Sequence, residues 1–189
     1  MPDSGLRRLI QEHVVVDRLE HTRVPLHVIA TDVMCGDEVR LSEGSLEDAV
    51  MASAAIPGVL PAVEWGGRAL IDGGVTNNAP LSHAVALGAD RIFVLATGTP
   101  CELDEPPHGA LGMLLYATQL LVGRRLAEET ATIARDVELT ILPPPCPLTV
   151  QPTDFSQAEV LIARARRDAR RHLKARYSAP ARLSAATSA

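Results

Sequence analysis

The residues best placed to do chemistry are Asp72-Gly73-Gly74. Arg68-Ala69-Leu70-Ile71 reads as a strand, so the Asp72 carboxylate stands where open α/β sheets build their sites, at a strand's carboxyl end. Two glycines let the chain bend sharply and keep the space before the carboxylate free of Cβ atoms, with Gly74 expected at positive φ. The plainer alternative is a turn aspartate that accepts from its own backbone, and the local residues leave both readings open. Other chemistries find no support. Asp72-Gly73-Gly74-Val75-Thr76 lacks the second Asp of a DxDxT phosphotransferase, and the chain has no GxGxxG and no P-loop. The six histidines include no HExxH or His-x-His spacing, so neither a metal nor a cofactor is expected. His27 in a strand and His83 near a helix start read as packing or surface residues. His83 is the one closer to Asp72 in sequence.

The elements that must position Asp72 follow from punctuation and periodicity. Residues 6–20 suggest a loosely amphipathic helix. Residues 25–31 suggest a strand with Pro25 at its first position, and Cys35-Gly36-Asp37 is a turn before a return strand at 38–41. Ser45-Leu46-Glu47-Asp48 matches a capping box opening a helix that stops at Pro57-Gly58. Glu64 to Arg68 reads as a hairpin about Gly66-Gly67. After Asp72, Asn77 or Asn78 is expected to cap a helix closing at Gly88, followed by a buried strand at 91–96. A long helix at about 109–136, with Leu111, Leu114, Leu115, Thr118, Val122, Leu126, Glu129 and Ile133 near one stripe, leads to a strand at 138–142. Pro143-Pro144-Pro145-Cys146-Pro147 is a stiff connector, and residues 156–177 form the last helix. Alternating strands and helices predict an α/β, three-layer architecture with a mostly parallel sheet between helices. One domain is expected over 1–177, with a disordered tail at 178–189.

Composition sets the outer limits. The 189 residues are 47% hydrophobic and 22% charged, enough for a real core and unlike a disordered chain. A net charge of −5 and only 3% aromatics argue against a nucleic-acid partner. Cys35, Cys101 and Cys146 suggest no disulfide framework and fit a reducing compartment. The longest apolar run, residues 111–122, falls short of the roughly 20 residues of a membrane span, and no secretory signal is seen, so a cytoplasmic location is expected. Oligomeric state leaves no mark in the sequence.

Asp72-Gly73-Gly74 with Asn78-Ala79-Pro80, the upstream Ala52-Ser53-Ala54-Ala55-Ile56-Pro57-Gly58, Val24 to Asp32 and Leu87 to Arg91 together resemble the C-terminal half of a patatin-like phospholipase domain. The likeness covers about residues 24–97 and extends loosely through Asp154-Phe155. It implies a lipid acyl hydrolase with a Ser–Asp dyad, cytoplasmic or peripheral to a membrane, acting on phospholipid or another acyl lipid without a cofactor. Asp72 then matches the proton acceptor of the dyad, within the Asp72, Gly73, Gly74 motif. Asp32, at another strand end, reads as structural.

The departure from the family lies in the nucleophile. No G-x-S-x-G elbow and no Gly-rich oxyanion loop occur in the chain; Ser45 is used as a cap, and Ser53 sits in a helix without the strained turn of an elbow. The expectation is therefore a partial domain whose serine half precedes Met1, poorly stable and inactive by itself. The alternative is a truncated or degenerate product that binds lipid or a partner without turnover. The last helix carries Arg164, Arg166, Arg167, Arg170, Arg171, Lys174 and Arg176 against Asp168 between Leu161 and Tyr177, with Ala158, Leu161, Ile162, Ala165, Ala169 and Leu173 opposite. Such a helix can make a weak contact with an anionic membrane surface. The commoner arrangement, and the one favoured here, is a docked helix with a solvated cationic face.

Overall fold

The computed structural model describes residues 3–96, 105–133, 137–146 and 156–178. Helix α1 (Ser4–His13) leads through an extended segment to β1 (Val28–Asp32), and a five-residue turn returns the chain as β2 (Glu38–Leu41). Helix α2 (Leu46–Ser53) opens as the capping box predicts, the Ser45 hydroxyl accepting from the Asp48 amide at 3.2 Å. Strands β3 (Val63–Trp65) and β4 (Arg68–Asp72) enclose Gly66 and Gly67 at φ 57° and 82°, as the primed hairpin turn requires. A 3₁₀ turn, Gly73–Val75, then leads to α3 (Leu81–Ala86). Beyond it lie β5 (Arg91–Leu95), α4 (Gly109–Ile133), β6 (Glu138–Leu142) and α5 (Ala158–Ser178).

The architecture is α/β, but the strand directions correct the expectation of a mostly parallel sheet. Four strands in the order β2-β1-β4-β3 pair entirely antiparallel, and only β5 and β6 pair in parallel, as a separate two-stranded sheet. Connection length accounts for two of the antiparallel pairs and for the parallel one. A parallel pair needs a crossover of a dozen or more residues, which the β5–β6 link with α4 supplies and the short β1–β2 and β3–β4 turns cannot.

Two apolar cores result. Ile10, Leu19, Leu41, Leu46, Met51 and Leu70 join α1 and α2 to the antiparallel sheet. Leu81, Ile92, Val94, Leu126 and Ile133 join α3 and α4 to β5. Between them β1 is the most buried strand, with Ala30 and Thr31 nearly inaccessible. The alternate face of β5 leaves Phe93 and Leu95 exposed, the kind of bared apolar surface expected of a partial domain.

Three local expectations change. Neither Asn77 nor Asn78 caps α3. Pro80 precedes the helix without a side-chain bond, and the Ser82 amide is taken instead by Glu129 Oε1 of α4 at 3.0 Å. Ile162, assigned to the docked stripe of α5, is 66% exposed. Cys146 is disulfide-bonded and Cys35 is free, so the cysteines no longer argue for a reducing compartment. The expected tail beyond Ser178, Asp154-Phe155, Cys101 and Asp136, where the long helix was expected to end, lie outside the described residues.

Candidate active site

Asp72 ends β4 beside the middle of β1, in register with Ala30. Its backbone is fixed from three directions. The amide donates to Ala55 O at 3.1 Å, which ties the Ala-rich segment after α2 to the turn. The carbonyl accepts from Thr31 Oγ1 at 2.9 Å. With the Thr31 proton given to that carbonyl, Thr31 Oγ1 accepts from Thr76 Oγ1 at 2.9 Å, and Thr76 Oγ1 stands 3.3 Å from Gly73 O. Thr31 thus holds the Asp72 carbonyl and is itself held by Thr76. Thr31 is 2% exposed, so its hydroxyl has a structural reason to be satisfied there.

The glycines serve a different purpose from the one expected. Neither Gly73 nor Gly74 has positive φ, which corrects the expectation for Gly74. Gly73 is needed for close approach: a Cβ there would lie 2.2 Å from Ile29 O, inside the body of β1. A Cβ on Gly74 would stand 3.0 Å from Asp72 Oδ1 and 3.1 Å from Asn78 Oδ1, in the space that the carboxylate faces.

The carboxylate partly follows its plainer reading. Oδ1 accepts from the Gly74 amide at 2.7 Å, an aspartate turn. Oδ2 takes no hydrogen bond among the described residues. Burial raises the Asp72 pKa above the usual carboxylate value, opposed by the Gly74 amide. A half-buried carboxylate made more basic by lost hydration, with one oxygen anchored, has the properties of a general base.

Asp72 lines a cavity of about 450 Å³ with His27, Ser53, Gly74, Asn77, Asn78 and Pro80 among its walls. A second cavity of about 470 Å³ shares Gly74, Asn77 and Asn78 with the first and continues between Ile56, Val75 and the Leu114, Leu115, Leu121, Val122 and Leu126 side of α4. The α4 stripe therefore has two roles. Leu126 and Ile133 are buried in the core, whereas Leu114, 58% exposed, faces this groove. The cavity that holds Asp72 thus adjoins a more apolar one.

Of the other residues weighed from sequence, His27, read there as a packing or surface residue, lines the Asp72 cavity, and its Nδ1 is buried without a partner among the described residues. No local pattern announced this, since β1 and the Asp72 turn meet only through the fold. His83 instead bonds Glu38. Ser53 ends α2 and borders the cavity from a helix, without an elbow. Asp32 is structural: 6% exposed, it accepts from the Met34 amide at 2.9 Å. Among the described residues no group of His, Cys, Asp and Glu could hold a metal ion, and no helix is long and apolar enough to cross a membrane.

Comparison with known proteins converges on the same segment. The family model for patatin-like phospholipase matches residues 2–85. An uncharacterized NTE family protein of Mycobacterium tuberculosis is 38% identical over 78 residues, covering 41% of this chain and 22% of the relative. A second such protein of that organism is 28% identical over 187 residues, covering 89% of this chain and 32% of its own length. Patatin-like phospholipase domain-containing protein 6 of Mus musculus is 29% identical over 108 residues, 56% of this chain and 8% of that protein. The chain thus spans less than a third of the length of each of these three.

Proposed function

We propose, for a chain that belongs through residues 2–85 to the patatin-like phospholipase family, that it supplies the base of a Ser–Asp acyl hydrolase acting on phospholipid or another acyl lipid. The observation that carries this is the Asp72 cavity, which shares Gly74, Asn77 and Asn78 with the wall of an apolar groove. An ester group would sit at the carboxylate and its acyl chain along α4.

The serine is supplied from outside these 189 residues, which hold no G-x-S-x-G. Its Oγ attacks the ester carbonyl while Asp72 takes the hydroxyl proton. Collapse of the tetrahedral intermediate expels the alcohol, to which Asp72 returns the proton, and water then releases the acyl group by the same route. The raised pKa of Asp72 suits it to both halves of that exchange. The chain by itself is inactive on this reading. The missing elbow also favours a second reading, a product that binds lipid or a partner without turnover.

Two measurements test these readings. The isolated chain should not be labelled by a fluorophosphonate; stoichiometric labelling at a serine would show that the nucleophile lies within it. Joined to a segment that supplies the Gly-rich loop and elbow serine, the chain should hydrolyse acyl esters, and Asp72→Asn should lower turnover by about 10²–10⁴-fold. Asp32→Asn should spare the chemistry. Turnover unchanged in Asp72→Asn would remove Asp72 from the mechanism, and a joined chain that folds, binds lipid and never turns over would favour the binding product.

A further inference from the structure

We propose that the outward face of α5 docks the protein on an anionic phospholipid bilayer. The helix is anchored from one side. Arg176 donates to Leu139 O at 3.0 Å, and Tyr177 bonds Glu138 Oε1 at 2.8 Å and Thr140 Oγ1 at 3.1 Å, so its last turn is fixed along β6. Ala158, Leu161, Ala165, Ala169 and Leu173 are half-buried and form its less exposed face. A second face is left to solvent. At 3.6 residues per turn, Arg166, Arg170, Lys174 and Arg167 fall on one arc of that face, all exposed.

These four cations have no ion pair among the described residues. Asp168, whose carboxylate could have balanced them, instead pairs with Arg164 and Arg171. The arc is bordered by Val160 and Ile162, each 66% exposed. One exposed aliphatic means little. Two of them flanking an unpaired cationic row match what a lipid headgroup layer receives: charges that meet phosphates, and aliphatics that enter the interface between them. A nucleic acid fits less well, because the chain as a whole carries −5 and only 3% aromatics. The bonds to β6 come from Arg176 and Tyr177 in the last turn, which leaves the cationic row before them open to a membrane.

The test needs no turnover and stands apart from the hydrolase reading. The 189-residue chain is sedimented with vesicles of phosphatidylcholine alone and with phosphatidylserine added, at low and physiological salt. Binding should require the anionic lipid and weaken with salt. Each cation near the surface contributes about five-fold, so the variant Arg166→Gln, Arg167→Gln, Arg170→Gln, Lys174→Gln should bind roughly a hundred-fold or more weakly. The same charge change at the exposed Arg8, Arg23, Arg40 and Arg124 should cost far less. All these side chains are on the surface, and circular dichroism checks that each variant keeps its helix content. Changing Val160 and Ile162 to Ser should weaken vesicle binding and leave heparin binding unaltered. A folded chain that ignores anionic vesicles, or a control variant that loses as much as the α5 variant, would overturn the proposal. So would vesicle binding indifferent to Val160 and Ile162 and matched by heparin, which would make the face a general polyanion site.

Discussion

Replacing Gly73 by Ala tests whether the Asp72 turn is held by contact or by conformation. The added Cβ would lie 2.2 Å from Ile29 O and 2.5 Å from its carbonyl carbon, where ordinary contact begins at 3.4 Å. The obstacle is backbone, and it belongs to a strand paired on both sides: Ile29 is in register with Arg40 of β2, and the adjacent Ala30 with Asp72 of β4. Relief therefore requires moving the sheet or the turn. Overpacking costs about 1–3 kcal/mol and more where the neighbour is rigid, against about 0.4–1 kcal/mol recovered by a stiffer unfolded chain. The expected net loss is about 2–3 kcal/mol, a large share of the 5–15 kcal/mol or so of an ordinary domain. Gly74→Ala is the comparison. Its Cβ would meet only the side-chain oxygens of Asp72 and Asn78, at 3.0 and 3.1 Å, which can turn away. Its stability should change by less than about 1 kcal/mol, while the displaced carboxylate loses turnover in the joined enzyme. Urea unfolding followed by circular dichroism gives both values if the slopes agree. A Gly73→Ala chain as stable as Gly74→Ala would refute the close-approach argument.

Three further outcomes follow from the same geometry. Because burial raises the Asp72 pKa, the folded state resists its ionisation and loses stability as pH rises through that pKa; Asp72→Asn should therefore stabilise the chain at pH 7, with the gain vanishing well below pH 3.8, as urea midpoints across pH will show. Glu20 behaves oppositely: its own backbone amide, the Gly44 amide and Arg18 hold its pKa at about 2, so its contribution is present above about 4.5 and lost on acidification towards 2, and Glu20→Gln should flatten the stability profile within that window. Ser45→Ala should cost about 1 kcal/mol through loss of the Asp48 amide's acceptor, measurable by thermal unfolding, while Ser45→Asp should restore most of it.

Signals that act over a few residues could be read directly from the sequence. The Ser45 cap, the Gly66-Gly67 turn and the Gly88 closure at φ 87° each depend on neighbours within a turn, and each formed as its residues required. Asp72 belongs to this group, since a strand end followed by two glycines leaves the carboxylate few places to go. The glycines themselves were misjudged because their demand is not local. What fixes Gly73 is Ile29 O, over forty positions earlier, and no feature of Asp72-Gly73-Gly74 encodes that neighbour.

The same distinction accounts for the helix after the turn and for the groove beside it. Asn77 and Asn78 had the right type for a cap, but α3 begins at Leu81, too far on for their side chains to reach its free amides. Glu129 of α4 satisfies the Ser82 amide instead, and in doing so holds α4 against the Asp72 turn. That single contact links cap and groove. With α4 held there, Leu114 and Leu121 stand open beside Gly74 and Asn78 while Leu126 is buried in the core. The helical period could assign Leu114 and Leu126 to one face, yet it could not divide that face between core and cavity. The division depends on how Leu126 and Ile133 of α4 pack with Leu81, Ile92 and Val94, an arrangement that the Glu129 bond to Ser82 supports and that is a property of the assembled chain.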